Sequence, residues 1–246
     1  MFSKDSARQA DACRFCWMCR HICPVAGATG SEAWTPRARG LMISMIERGT
    51  EFDKDIAEAM YHCTLCDACA NDCVTGYKPS EYTREARMRA VVEDLAPAAV
   101  IKMIDTISEC GNIFGLSAMG KLFEKAGKLP EKAEVLLFIG QTAEAMRADT
   151  GVHAISILKK AGIDFTVLAD EPASGAYLGE LMGYTGDVQA VAAHTAKMIA
   201  DTGAKTLVVL NPADAAMFKE QYGAWGLLSG IEIVTATAFI AALIAD

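Results

Sequence analysis

Hydrophobic and polar positions divide the 246-residue chain into two parts with different periodicity. In the first part, apolar residues recur every three or four positions over three stretches, as expected for helices with one buried face. Thr35-Pro36 supplies an N-cap and a first-turn proline for the first of them, and Pro97 follows the last. The pattern predicts helices over 35–48, 52–61 and 80–95.

The second part alternates short apolar runs with helical stretches. The runs predict strands over 134–139, 165–168, 206–210 and 232–234. Helices are predicted over 143–161, 187–202 and 213–222, with one more at the end of the chain. Apolar strands alternating with helices are typical of a parallel sheet covered on both faces. The predicted fold class is α + α/β, with a helical N-terminal domain and a Rossmann-like C-terminal domain.

A glycine-rich stretch separates the two parts. Residues 98–130 are predicted to form a helical connector, which contains Gly111, Gly115, Gly120 and Gly127 and is closed by Pro130. The predicted domains are therefore 1–97, the connector 98–130, and 131–246.

The charge balance and the apolar runs limit the classes of partner. The chain has 31 acidic and 23 basic residues, a net charge of −8, which argues against nucleic-acid binding. No apolar stretch reaches 18 residues, and Met1 to Asp11 has no apolar core of a secretory leader. We therefore expect no transmembrane segment and a cytoplasmic location. The alternative is peripheral attachment to the inner membrane through a partner.

Nine cysteines are the one unusual feature of the composition. Eight of them form two runs with the same C-x2-C-x2-C-x3-C spacing, and only the first run is followed by proline. In a reducing compartment, clustered cysteines indicate metal or redox chemistry, and a disulfide framework fits a chain this long and apolar poorly. The runs are Cys13, Cys16, Cys19, Cys23 and Cys63, Cys66, Cys69, Cys73.

This spacing predicts two [4Fe–4S] clusters. In two-cluster proteins, three cysteines of a run hold one cluster and the fourth binds the other cluster. The crossed assignment is Cys13, Cys16, Cys19 and Cys73 for cluster 1, and Cys63, Cys66, Cys69 and Cys23 for cluster 2. Zinc is the alternative, although zinc sites prefer separated C-x2-C pairs.

Several residues near the runs have two interpretations. Arg14, Arg20 and His21 either raise the potential of cluster 1 or are solvated loop residues or partner contacts. Phe15 and Trp17 are candidate shields of the cluster against water. His62 is interpreted as a packing residue or a hydrogen-bond donor rather than a ligand. Cys110 is interpreted as a buried structural residue, because no base is close to it in sequence.

With these residues, the chain resembles a family of iron–sulfur subunits. The family includes the C and D subunits of heterodisulfide reductase, the C subunit of anaerobic glycerol-3-phosphate dehydrogenase and the glycolate oxidase iron–sulfur subunit. The resemblance implies an α-helical ferredoxin domain followed by a cysteine-rich "CCG" domain. Besides the two runs, it rests on Thr35-Pro36-Arg37, Tyr61-His62-Cys63-Thr64-Leu65-Cys66 and Gly111-Asn112-Ile113-Phe114-Gly115.

The C-terminal half departs from this family pattern. Ala173-Ser174-Gly175 stands where the family has Cys-Cys-Gly, and Asn211-Pro212-Ala213-Asp214 stands where a later cysteine segment is expected. Gly140-Gln141-Thr142 also lacks a thiol. The C-terminal domain is therefore predicted to be a degenerate CCG domain without its metal, acting as a scaffold or docking domain.

These features predict a non-catalytic electron-transfer subunit of an oxidoreductase complex. A flavoprotein dehydrogenase subunit would carry FAD or FMN, which is not expected on this chain. The acceptor would be an electron-transfer flavoprotein, a quinone-linked protein or another iron–sulfur protein. Two alternatives stay open: a disulfide- or substrate-reducing catalytic subunit that uses Cys110, and a free ferredoxin-like carrier.

Overall fold

The computed structural model describes residues 2–116 and 129–245. Two compact units are found, Met1–Lys102 with Leu178–Thr185, and Met103–Tyr177 with Gly186–Asp246. Residues 117–128 of the predicted connector, with Gly120 and Gly127, lie outside the described residues. The predicted domain boundaries stay a prediction.

The first unit is helical. The three predicted helices are confirmed as α4, α5 and α7, each within three residues of the predicted bounds. A helix before the first cysteine was not predicted, because it is short and mostly polar, with only Ser6 and Ala10 buried. The helices of this unit are α1 (Lys4–Asp11), α2 (Met18–Ile22), α3 (Pro24–Thr29), α4 (Pro36–Glu47), α5 (Lys54–Tyr61), α6 (Ala68–Asn71) and α7 (Pro79–Val92), with a 3-10 turn at Glu32–Trp34. The next helix, α8 (Ala98–Cys110), includes the boundary between Lys102 and Met103.

The start of α4 is fixed from both sides. The Thr35 side chain caps the helix by accepting from the Ala38 N–H at 3.1 Å. The buried Tyr77 hydroxyl donates to the Pro36 carbonyl at 2.5 Å and also contacts the Tyr82 hydroxyl. Both tyrosines belong to the core of this unit, which includes Ile43, Phe52 and Met60. The first turns of α4 are thereby held in place beside the cysteine loops.

The second unit contains a four-stranded parallel sheet, as predicted. Its strands are β1 (Val135–Phe138), β2 (Phe165–Thr166), β3 (Thr206–Val209) and β4 (Glu232–Thr235), in the order β2-β1-β3-β4. Val135 pairs with Phe165 on one side and Thr206 on the other, and Thr206 pairs with Glu232. Leu137, Ile139, Phe165 and Val208 form its core with residues from the covering helices.

The helices between the strands differ from the predictions in two places. The stretch predicted over 143–161 is broken at Arg147, whose φ and ψ of −144° and 51° are not helical. The stretch predicted over 213–222 ends in a π-helical turn, Met217–Tyr222. The helices are α9 (Gln141–Met146), α10 (Ala148–Lys160), α11 (Ala176–Met182), α12 (Gly186–Asp201), α13 (Pro212–Ala216) and α14 (Ala236–Ala245).

Of the helices in the described ranges, none combines the length and the apolar character needed to cross a bilayer.

Candidate metal centre

The two cysteine runs have the same backbone conformation as well as the same spacing. Phe15 and Leu65, two residues after the first cysteine of each run, both have φ of 53°. Trp17 and Asp67, directly after the second cysteine, have φ of 72° and 56°. Positive φ is costly for non-glycine residues and persists only where the surroundings enforce it. Each run therefore forms the same strained loop.

The strained loops point backbone donors at sulfur. The Phe15 N–H donates to Cys13 Sγ at 3.4 Å, and the Leu65 N–H donates to Cys63 Sγ at 3.4 Å. Donation to sulfur stabilises a thiolate, which is the form that binds metal. The backbone therefore places an equivalent hydrogen-bond donor beside the first cysteine of each loop.

The first cavity, of about 170 Å³, is lined by Cys13, Cys16 and Cys19 of the first run and by Cys73 of the second. The backbone N–H of Arg37 acts to lower the pKa of Cys19, against the larger effect of burial. These are the four thiols that the sequence assigns to cluster 1.

The second cavity, of about 20 Å³, is lined by Cys63, Cys66 and Cys69 of the second run and by Cys23 of the first. These are the thiols assigned to cluster 2, so the fourth cysteine of each run lines the cavity of the other run. Among residues 2–116 and 129–245, no three Cys, His, Asp or Glu side chains are arranged to hold a single metal ion. Cluster ligation by these sets stays a prediction.

Burial and hydrogen bonding act in opposite directions on the thiols. Burial raises the pKa of Cys19 to about 11 and that of Cys69 to about 12. Burial also raises the pKa of Cys73, but hydrogen bonds from Thr75 and the Tyr77 N–H outweigh it, so this pKa is lowered. The thiols of Cys19 and Cys69 therefore hold their protons at neutral pH, and metal binding would release these protons.

Two arginines near the first cavity share one carboxylate. Arg37 pairs with Glu32 at 2.9 Å, and Arg20 also contacts Glu32. The Arg37 guanidinium lies 4.0 Å from the centre of the Trp17 ring, which is 49% exposed. Trp17 lines the cavity, as expected for a partial shield against water.

Arg39, which sequence reasoning missed, lies in the wall of the second cavity. Its side chain is 1% exposed, and its Nη1 donates to the Trp34 carbonyl at 2.7 Å. Its buried Nε has no hydrogen-bond partner, and none of the ion pairs in the described part of the chain includes Arg39. A buried charge is costly without a counter-charge. An unpaired cation beside four thiols therefore fits an anionic group such as a thiolate-bound cluster.

Arg87 was also missed, because nothing in the sequence distinguishes it from the other arginines of the same helix. Its guanidinium is buried and donates to the carbonyls of Met60 at 3.0 Å, Cys63 at 2.5 Å and Glu180 at 2.5 Å. The bonds to Met60 and Cys63 satisfy carbonyls in the last turn of α5 and just after it, where the chain leads into the second loop. Arg87 therefore positions the backbone of Cys63.

Two other expectations have different outcomes. His62 stacks on Trp34 with ring centres 3.8 Å apart, which confirms its role in packing. The expectation that Cys110 is buried is wrong, since it is the last residue of α8 and its side chain is exposed. In the turn that follows, Asn112 Nδ2 donates to the Cys110 carbonyl at 2.9 Å, and the Cys110 thiol lies outside the core.

The segments where the resemblance expects further thiols meet at the carboxyl end of the sheet. Glu171 accepts the N–H groups of Ile139 at 2.7 Å and Gly140 at 2.6 Å, and Asp214 accepts from Ser174 at 2.5 Å. Burial raises the pKa of Glu171 to about 8 and that of Asp214 to about 6. Hydroxyl and buried carboxyl groups lie here instead of thiols, so the residues do not fit an iron–sulfur centre.

Comparison with known proteins agrees with the cysteine pattern. Residues 9–77 match the family described as a 4Fe-4S dicluster domain. A probable membrane-anchored ferredoxin of Chromohalobacter salexigens is 27% identical over 68% of this chain and 26% of its own length. The D subunit of dihydromethanophenazine:CoB–CoM heterodisulfide reductase is 23% identical in Methanosarcina mazei and 25% in Methanosarcina acetivorans, over 97% and 96% of this chain. No solved structure matches.

The class defined by the loops and the family match is that of iron–sulfur proteins with a 4Fe-4S dicluster domain. Within that class, two relatives that align with nearly the whole chain are D subunits of heterodisulfide reductase, so the predicted resemblance is confirmed. The chain spans 63% of the length of both heterodisulfide reductase relatives and about a quarter of the ferredoxin relative.

Proposed function

We propose that this chain is an electron-transfer subunit of an oxidoreductase complex and that it holds two [4Fe–4S] clusters. The observation that carries the proposal is the placement of the eight cysteines as two sets of four around two cavities. Each set combines three thiols of one run with the last thiol of the other, which is the ligand pattern of two-cluster proteins. The family match and the relatives support binding of 4Fe–4S clusters.

The residues of this chain would provide the thiolate ligands, the hydrogen bonds to the ligand sulfurs and partial cover against water. The clusters, when bound, supply one-electron redox chemistry. Backbone N–H groups of Phe15 and Leu65 donate to ligand sulfurs, and such bonds tune cluster potentials. Trp17 covers part of the first cavity, and Arg87 holds the backbone at Cys63.

The proposed route runs from a flavoprotein dehydrogenase subunit, through this chain, to a downstream acceptor. Two relatives are named as subunits of a heterodisulfide reductase, which supports a role within a complex. Cys16 and Cys66 are exposed, so each set has one thiol at the surface where a partner could approach. The flavin, the acceptor and the cytoplasmic location are parts of this proposal.

A second candidate function follows from the exposure of Cys110. An accessible thiol could take part in reduction of a disulfide or another substrate by this chain. Turnover by the purified chain that is lost in the Cys110→Ser variant would support this alternative over a purely electron-transferring role.

Anaerobic purification with iron and acid-labile sulfide analysis tests the proposal. Two clusters correspond to about eight iron and about eight sulfide per chain, with a brown colour that bleaches on reduction. Stable co-purification with a flavin-containing protein would distinguish a subunit from a free carrier. A colourless protein that contains zinc would refute the proposal.

A further inference from the structure

The first turns of α4 contribute a side chain to each cysteine-lined cavity. Arg37 lines the cavity that contains Cys13, Cys16, Cys19 and Cys73. Arg39, two residues further along the helix, lines the cavity that contains Cys23, Cys63, Cys66 and Cys69. The two arginines thus provide a comparison within one helix.

The charges of these two arginines are compensated differently. Arg37 is partly exposed, at 24% of its side chain, and pairs with Glu32 at 2.9 Å. Arg39 is buried, and its one hydrogen bond among the described residues runs to the neutral Trp34 carbonyl. Its Nε is buried without a partner. Since a charge in the interior is weakly screened, Arg39 acts on the second cavity more strongly than Arg37 acts on the first.

We propose that Arg39 raises the reduction potential of the cluster held by Cys23, Cys63, Cys66 and Cys69. The inference rests on the proposed function. Reduction adds one electron, and hence one negative charge, to that site, while the electron donor is oxidised by one electron. A fixed buried cation stabilises the reduced form more than the oxidised form. Arg39 thereby makes it more favourable for a transferred electron to reside on this cluster than on the cluster of the first set.

A redox titration followed by electron paramagnetic resonance tests this role in the cluster-loaded protein. In Arg39→Gln, one reduction step is expected to shift to a lower potential. The equilibrium constant for this one-electron reduction should fall about tenfold, which corresponds to a shift of ~59 mV. Arg39→Lys keeps the charge and is expected to keep the parental potential. Arg37→Gln, the matched control, removes a charge two residues away and should leave that step unchanged.

Three results would overturn the inference. The first is an unshifted potential in Arg39→Gln, and the second is an equal shift of the same step in Arg37→Gln. The third is loss of the second cluster from both Arg39 variants, which would show a structural role. If the second cluster is lost from Arg39→Gln but is kept in Arg39→Lys at the parental potential, the result would support the need for the positive charge. A wild-type chain without iron and sulfide would instead refute the proposed function.

Discussion

Gly140 lies where β1 leads into α9, and replacing it by alanine tests the packing of the second unit. Its φ and ψ of 84° and 148° lie in a region that only glycine readily adopts, at a cost of about 1–3 kcal/mol for other residues. A Cβ atom there would lie 2.5 Å from Asp214 Oδ2 and 3.0 Å from Asn211 Cβ. Overpacking adds about 1–3 kcal/mol. We therefore expect Gly140→Ala to lower the free energy of unfolding by about 2–6 kcal/mol.

Gly162→Ala is the matched control. Gly162 also has positive φ, +70°, but a Cβ atom there meets nothing within 4 Å. Its expected loss is about 1 kcal/mol, which is the backbone cost without the clash. Urea unfolding followed by Trp225 fluorescence measures both, in a background in which Trp17 and Trp34 of the first unit are replaced by phenylalanine. Equal losses in the two variants would refute the proposed crowding around Gly140.

Two further predictions concern buried charged groups. The folded-state pKa of Asp214, about 6, is above its ordinary value of 3.8, so the contribution of this carboxyl group to stability is fully present below about pH 4 and is lost as the pH rises through about 6. Between pH 5 and 7.5, the wild type should lose about 1–2 kcal/mol more than Asp214→Asn in urea unfolding; parallel pH profiles would contradict this. Arg87→Met leaves the carbonyls of Met60, Cys63 and Glu180 without their donor, and we expect a loss of about 3 kcal/mol. An unchanged temperature of thermal unfolding would show that Arg87 does not hold this backbone.

The positions of the cysteines and the main helices could be predicted because both depend on local sequence. The identical spacing of the two runs led to the two sets of thiols, and apolar periodicity located α4, α5 and α7. The parallel sheet followed from the alternation of apolar runs and helices. In each case, the signal lies within a few neighbouring residues.

The arginines could not be predicted, because burial of a charge depends on tertiary contacts. Arg39 and Arg87 both lie in predicted helices with charged neighbours, where a solvated side chain is the usual outcome. Their partners are carbonyls, which leave no residue-type signal in the sequence. The exposure of Cys110 was missed for a related reason, since its position at the end of α8 depends on where the helix stops.

The central claim is that each run contributes its fourth cysteine to the other site. Iron content in two double variants tests this claim most directly. With crossed sets, Cys13→Ala with Cys73→Ala damages one set, so about four iron per chain should remain, whereas Cys13→Ala with Cys23→Ala damages both sets and should leave almost none. The reverse result, about four iron in the Cys13/Cys23 variant and almost none in the Cys13/Cys73 variant, would contradict the crossed arrangement.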